Sequence, residues 1–281
     1  MGKTFKLTRI APTPSGYLHL GNAYSFALTA AIAHKTGAEI LLRIDDLDRE
    51  RIEKTYVADI FDTLNFLSID WQKGPRNFEE YKNGWSQLLR LDIYQPALNK
   101  LKQSGDVFAC KCSRKQLQTS GYECNCAQLK IPFETDGVAW RILTDDRVLS
   151  IDTFTQGTIT TTLTAEMKNF VVRKKDGYPA YQLTSLLDDI HFNVDLIIRG
   201  EDLWASTIAQ HYLASVLNIT SFQQKTFHHH SLIIAADDTK LSKSTGATSI
   251  QFLRKQGMSA GQVYHQIGRT LSLELDEWQD L

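Results

Sequence analysis

Four groups of residues in this 281-residue sequence have the types and spacing to do chemistry. Near the N-terminus, Arg9-Ile-Ala-Pro-Thr-Pro-Ser-Gly-Tyr-Leu-His19-Leu-Gly-Asn22 places a histidine just before a helix-like run, in a turn punctuated by Pro12, Pro14 and Gly16. A strand, a turn and a helix start in that order present unpaired backbone N–H groups and the positive end of a helix dipole, which suits a phosphate. His19 stands where it can donate to a phosphate oxygen, although a proline-rich connection with one exposed histidine explains these residues equally well. Far downstream, Lys240-Leu-Ser-Lys243-Ser sets two lysines around small hydroxyl residues. That suits a loop closing over a polyphosphate, but lysine and serine are also common in surface loops. Cys110-Lys-Cys112 and Cys124-Asn-Cys126 are separated by eleven residues and gather every cysteine of the chain into 17 positions. Two close pairs joined by a loop favour four thiolates on one structural Zn²⁺ over free thiols or a redox disulfide. No catalytic base adjoins them, so the metal is assigned no chemistry. His228-His229-His230 has no partner at ligand spacing and reads as the lead into the next strand.

These residues need elements to hold them. Phe5 to Ile10 reads as a strand, and Phe26, Ala27, Ala30, Ala31 and Ala33 follow helical spacing up to Gly37, a C-cap residue. Ala38 to Ile44 reads as a buried strand ending in the charged run Arg43-Ile-Asp45-Asp46-Leu-Asp48. Open α/β sheets place ligands at such strand ends, whereas a solvated loop is the commoner origin of a charge run. Helical patterns follow over Lys54 to Leu67 and Trp85 to Ser104, the second closed by Gly105. Texture then changes: 106–169 holds the cysteines, a Thr-rich run from Thr158 to Thr164 and β-like pieces such as Val138 to Leu143. The core pattern returns at Phe170-Val-Val172, followed by a turn at Asp176-Gly177 and by Tyr181-Gln-Leu183 leading to Asp188-Asp189. Val194 to Ile198 is a second buried strand ending in charge, Arg199-Gly-Glu201-Asp202. Ser206 or Thr207 suits the N-cap of a helix running to Asn218, and Ser231 to Ala235 reads as another strand.

The alternation predicts an α/β protein with a Rossmann-type doubly wound parallel sheet, an inserted zinc-containing α+β module and a short helical C-terminal region. The expected divisions are 1–105 and 170–235 for the two halves of the catalytic domain, 106–169 for the insert, and 236–281 for the Lys-Ser loop and tail. Hydrophobic residues make up 42% and charged residues 22%, and the net charge is −1. Such a chain has no global field for a polyanion, so nucleic-acid contacts must rest on local patches. No apolar signal core or membrane-length run is present, which predicts a cytoplasmic protein with reduced cysteines and no membrane partner.

In combination the motifs are more specific. A proline-rich turn ending in His-Leu-Gly-Asn, with Lys-Leu-Ser-Lys-Ser over 200 residues later, resembles the two signatures of class I aminoacyl-tRNA synthetases. Ala11-Pro-Thr-Pro-Ser-Gly16, Leu42-Arg-Ile-Asp-Asp46, Asp176-Gly-Tyr-Pro-Ala-Tyr-Gln-Leu183 and Ile198-Arg-Gly-Glu-Asp-Leu203 resemble segments of the glutamate branch, in its order. A short core with a cysteine-rich insert and no room for helical anticodon-gripping domains is similar to the glutamyl-Q group within that branch.

The resemblance implies ATP-dependent activation of L-glutamate, with Mg²⁺ accompanying ATP, and transfer of glutamate to queuosine in the anticodon of tRNA(Asp) by a monomer. By the family's motifs, His19 and Lys243 stabilise the transferring phosphate, and Gly21, Asn22 and Lys240 complete the ATP site. Asn22 replaces the signature's last histidine and cannot carry its positive charge. Arg9, Thr13, Asp45, Tyr181 and Arg199 fall at the glutamate positions. The chemistry agrees, since two arginines suit a side-chain carboxylate and an acid suits the ammonium group. An internal ion pair of these arginines with Asp45 or Glu201 is the competing structural explanation. Asp45 stands where glutamyl enzymes usually have glutamate, as in glutaminyl enzymes, while Arg199 favours an anionic substrate. In the glutamyl-Q group one zinc ligand is commonly a tyrosine; here Cys124 holds that spacing and Tyr122 lies nearby. Two further readings are a truncated glutamyl-tRNA synthetase charging tRNA(Glu), and a non-catalytic synthetase-like RNA-binding protein.

Overall fold

A computed structural model describes residues 3–48, 52–233 and 249–270. In chain order the strands are β1 (Leu7–Ile10), β2 (Glu39–Leu42), β3 (Val107–Cys110), β4 (Ala139–Ile142), β5 (Leu149–Thr153), β6 (Gly157–Thr161), β7 (Val171–Arg173), β8 (Leu196–Gly200) and β9 (Thr226–His230). The longer helices are α1 (Leu20–Thr36), α2 (Lys54–Phe66), α3 (Leu91–Gln103), α4 (Tyr181–His191), α5 (Trp204–Leu217), α6 (Ile250–Lys255) and α7 (Ala260–Thr270). None of the described helices is long and apolar enough to cross a membrane. The chain forms two compact units.

One unit comprises Met1–Leu89, Asn193–Leu203 and Lys225–Leu281. Here β1 and β2 pair in parallel, Leu7 opposite Glu39 and Ile10 opposite Leu42, with α1 as their crossover. Helix α1 stops because Gly37 takes the left-handed conformation (φ 76°) and Ala38 N–H returns to Ala33 O. Strand β2 is flanked by Gln72 and Lys73, whose N–H groups both donate to Ile40 O, while Leu42 N–H donates to Lys73 O at 2.9 Å. Gly74 (φ +105°) then packs directly on Leu42, where an added Cβ would collide with the Leu42 carbonyl. Strand β8 starts beside β1 because Asp195 accepts the Lys6 and Leu7 N–H groups, each at 2.9 Å, and donates its own N–H to Leu7 O. Strands β8 and β9 pair in parallel, Leu196 opposite Thr226 and Gly200 opposite His230.

The other unit comprises Arg90–Phe192 and Trp204–Gln224. Strands β3, β4 and β7 form an antiparallel sheet, and β5 and β6 an antiparallel hairpin. Its core carries a buried ion pair: Arg90 donates to both Asp188 oxygens (2.9 and 3.0 Å) and Tyr94 Oη donates to the same carboxylate at 2.6 Å. This joins α3 to α4, the helix that begins with Tyr181.

Three expected elements are displaced. The helix expected from Trp85 starts only at Leu91, after a π-turn over Tyr81–Trp85 and a 3-10 turn over Gln87–Arg90. Ser86 is extended (φ −60°, ψ 140°) because Asp46 accepts its hydroxyl and the Gln87 N–H. Ser206 and Thr207 do not cap a helix; they lie buried inside α5, which begins at Trp204. The strand expected over Ser231 to Ala235 lies earlier, at Thr226–His230, so the three histidines are strand residues rather than its approach. Residues 231–233 are outside any strand, and Ala235 falls outside the described residues.

Candidate active site

His19 is the N-cap of α1, in an extended backbone conformation (φ −117°, ψ 175°). Its Nδ1 accepts the Gly21 N–H at 3.1 Å, and Asn22 Oδ1 accepts the His19 N–H at 3.1 Å, a reciprocal capping box. With Nδ1 accepting, Nε2 is the nitrogen that carries the hydrogen. The ring is thereby fixed at the positive end of a 17-residue helix whose first turn has no acidic residue. This geometry suits an anion. Gly21 leaves the ring its place, since a Cβ there would lie 3.0 Å from His19 Cε1 and 3.1 Å from Nδ1 and press on it. Asn22, expected at the ATP site, has its side-chain oxygen on the His19 backbone.

Beyond β2 the chain stays beside the Ile10 to Pro12 segment, Arg43 N–H donating to Ile10 O (2.9 Å) and Asp45 N–H to Pro12 O (3.0 Å). The two adjacent acids diverge. Asp45, buried, is gripped in forked geometry by buried Arg43, with Nε to Oδ1 at 2.7 Å and Nη2 to Oδ2 at 3.0 Å. Asp46 accepts Tyr81 Oη at 2.6 Å, together with Ser86 Oγ and Gln87 N–H. Burial first, then the Asp46 carboxylate, drives the Tyr81 hydroxyl well above the usual phenol range.

Arg9 on β1 and Arg199 on β8 are both buried. Arg9 Nη1 donates to Ile198 O at 3.0 Å, bridging the two strands, and the Arg199 guanidinium stands over the Phe227 ring at 5.2 Å. Arg199 is the register partner of His229 on β9. His229 is held neutral, lowered to about 3 by burial first, then by the charges of Arg199, His228, His230 and Arg9. Two guanidiniums and an uncharged imidazole thus share one neighbourhood at the strands' C-terminal ends. Thr13 is exposed in the loop after β1. Tyr181, 39% exposed, belongs to the other unit as the first residue of α4. Lys240 and Lys243 lie outside the described residues. Sequence reasoning missed Arg43 and His229. Arg43 was open to detection, because residues two apart on an extended chain share a face.

The four cysteines converge, with all four Sγ atoms within 4.8 Å of one another. Cys110 ends β3, Cys112 follows it, and Cys126 opens a short turn of helix. Sulfur separations are 3.7 Å (Cys110 to Cys124), 3.6 Å (Cys112 to Cys124) and 3.5 Å (Cys112 to Cys126). A tetrahedral zinc with Zn–S bonds of about 2.3 Å sets its sulfurs about 3.8 Å apart, so the donors fit that ion. Tyr122 Oη lies 3.1 Å from Cys112 Sγ. Burial raises the Cys112 thiol, but hydrogen bonds with Tyr122 and the three other cysteines bring it down to about 7. Cys124 is pushed up to about 12, burial being the largest cause.

The fold is that of a class I aminoacyl-tRNA synthetase catalytic domain. The structure is similar to that of the glutamate-tRNA synthetase from Elizabethkingia anophelis, with a TM-score of 0.70 at 22% identity, over 90% of this chain and 54% of that one. The family described as "tRNA synthetases class I (E and Q), catalytic domain" matches residues 7–136 and 141–270, and the chain belongs to that family. It is 34% identical, over 86% of its length and 77% of the relative's, to the protein named Glutamyl-Q tRNA(Asp) synthetase in Methylococcus capsulatus. It is 31% identical, over 92% of its length, to Glutamate--tRNA ligase 2 of Syntrophus aciditrophicus, of which it spans 56%. The chain is thus a glutamate-tRNA synthetase-like catalytic core that spans little more than half of that relative.

Proposed function

We propose that this chain activates L-glutamate with ATP, forming glutamyl-adenylate and pyrophosphate, and transfers the glutamate to queuosine in the anticodon of tRNA(Asp). The observation that carries the amino-acid reading is the neighbourhood of Arg9, Arg199 and neutral His229, where a third cation is withheld and a substrate carboxylate gains both guanidiniums. The higher identity to the Methylococcus glutamyl-Q protein, and the 77% of that relative matched against 56% of the Syntrophus ligase, favour the tRNA(Asp) product. In this reading the glutamate ammonium group meets Asp45, which Arg43 orients, and Thr13 and Tyr181 are glutamate contacts by their motif positions. Nε2–H of His19 meets the α-phosphate oxygens as negative charge builds, and Gly21, Asn22, Lys240 and Lys243 serve ATP, which enters as its Mg²⁺ complex. Zinc on Cys110, Cys112, Cys124 and Cys126 is structural, fixing the insert over 106–169. The enzyme acts as a cytoplasmic monomer.

A second reading, charging of tRNA(Glu) at its 3′ terminus, is favoured by the ligase relatives. One experiment separates them: labelled glutamate offered to tRNA(Asp) with and without queuosine and to tRNA(Glu). Label on queuosine-containing tRNA(Asp) alone is expected; an ester on the terminal ribose of tRNA(Glu) would replace the proposal with the second reading.

A further inference from the structure

We propose that Asp59 is a positioning residue for His19, acting through a closed ring of contacts that joins α2, the Leu18-His19 turn and α6. The inference rests on the reading of His19 as a phosphate contact. Asp59 is 3% exposed on α2, an unusual place for a carboxylate on a helix otherwise buried through Val57, Ile60, Phe61 and Leu64. Its Oδ2 accepts the Leu18 N–H at 3.1 Å. The Leu18 carbonyl accepts the Ile250 N–H at 2.7 Å, at the first residue of α6, and His19 forms a β-bridge with Ser249. Ser249 caps α6 by accepting the Phe252 N–H at 3.1 Å. One turn on, Arg254 returns to α2, its Nη1 3.8 Å from Asp59 Oδ1 and its Nη2 3.5 Å from Asp62 Oδ2, with the guanidinium over Phe66. Both backbone polar groups of Leu18 are therefore committed, one to each helix, and the Asp59–Arg254 pair closes the loop.

The consequence falls on the next residue. His19 takes its backbone position from Leu18, and an error of about 1 Å in a catalytic donor costs on the order of a hundredfold in rate. A buried carboxylate that accepts only one hydrogen bond is also costly unless a charge faces it, and Arg254 supplies that charge. Burial raises the Asp59 carboxyl, while the Leu18 N–H and Arg254 act against that rise, so the same two partners that define the ring favour its ionised form.

Asp59→Asn keeps an oxygen for Leu18 N–H and removes the charge facing Arg254. Arg254→Gln, at a side chain that is 27% exposed, breaks the same pair from the outside and keeps the test open if Asp59→Asn does not fold. In glutamate-dependent ATP–pyrophosphate exchange each variant is expected to lose about tenfold or more in kcat, with the glutamate KM within about twofold. The double variant should be no slower than the slower single one. Hydrogen–deuterium exchange should quicken together in the peptides holding Leu18 and Ile250 to Lys255. Unchanged kcat in folded variants, or a lower Tm with kcat per folded molecule intact, would overturn the positioning role. Quickened exchange confined to the substituted segment would overturn the ring itself. Absence of pyrophosphate exchange in the unaltered protein would instead remove the activation reading, and with it the catalytic role given to Asp59.

Discussion

A side chain at Gly21 would press on the His19 ring, which lies close to its Cα. In Gly21→Ala the methyl group would stand 3.0 Å from Cε1, tight enough to push the ring away from the Gly21 N–H. The expected outcome is a fall of about a hundredfold in the kcat of adenylate formation, with little change in glutamate affinity, since Arg9 and Arg199 are untouched. Pyrophosphate exchange at saturating and limiting glutamate reads both quantities, and a variant with full kcat would detach His19 from the reaction. The place of His19 just before the start of α1 was legible in the sequence because that geometry is local. His229 was not, since its neighbourhood depends on the register of β8 against β9, which no spacing within His228-His229-His230 reveals.

At the scale of elements, the cysteine loop shows how far spacing carries. Two C-x-C pairs announced convergence, and the sulfurs do converge. The ligand set was not legible, because Tyr122 reaches Cys112 as closely as any sulfur does. Zinc ligation by four sulfurs predicts about one zinc per chain in the purified protein, retained in Tyr122→Phe and lost or weakened in Cys124→Ser. Metal analysis after dialysis checks it; loss from Tyr122→Phe with retention in Cys124→Ser would make the phenol the fourth ligand. Helix positions show the same limit. Helix α1 and its Gly37 cap follow from periodicity and a glycine, whereas the break before α3 depends on Asp46, 40 residues away from Ser86. A local helical pattern cannot report a distant carboxylate.

For the whole molecule, long-range capture does what local propensity cannot. Asp195 seizes the Lys6 and Leu7 N–H groups across 188 or more positions, so that Asn193–Leu203 packs in one unit with Met1–Leu89. The same assembly buries His230 and half-buries His228 and His229 on β9, and this sets a dependence of stability on pH. His228, His229 and His230 all lie below the ordinary 6.5, burial being the first cause in each, and His229 falls to about 3. The unfolded chain therefore takes up protons as pH falls through about 6.5, while the folded chain takes them up only at lower pH, His229 only at about 3, so stability falls as pH falls across that interval. Above about pH 6.5 neither state is protonated at these positions and the contribution is constant. Urea unfolding midpoints should drop between about pH 7.5 and about pH 5, and His229→Gln, which removes the most depressed group, should reduce that drop. An equal drop in His229→Gln would place the acid sensitivity in other groups. A reduced drop would show that the neutral imidazole beside Arg9 and Arg199 is maintained at the expense of acid stability, as expected where two fixed cations exclude a third.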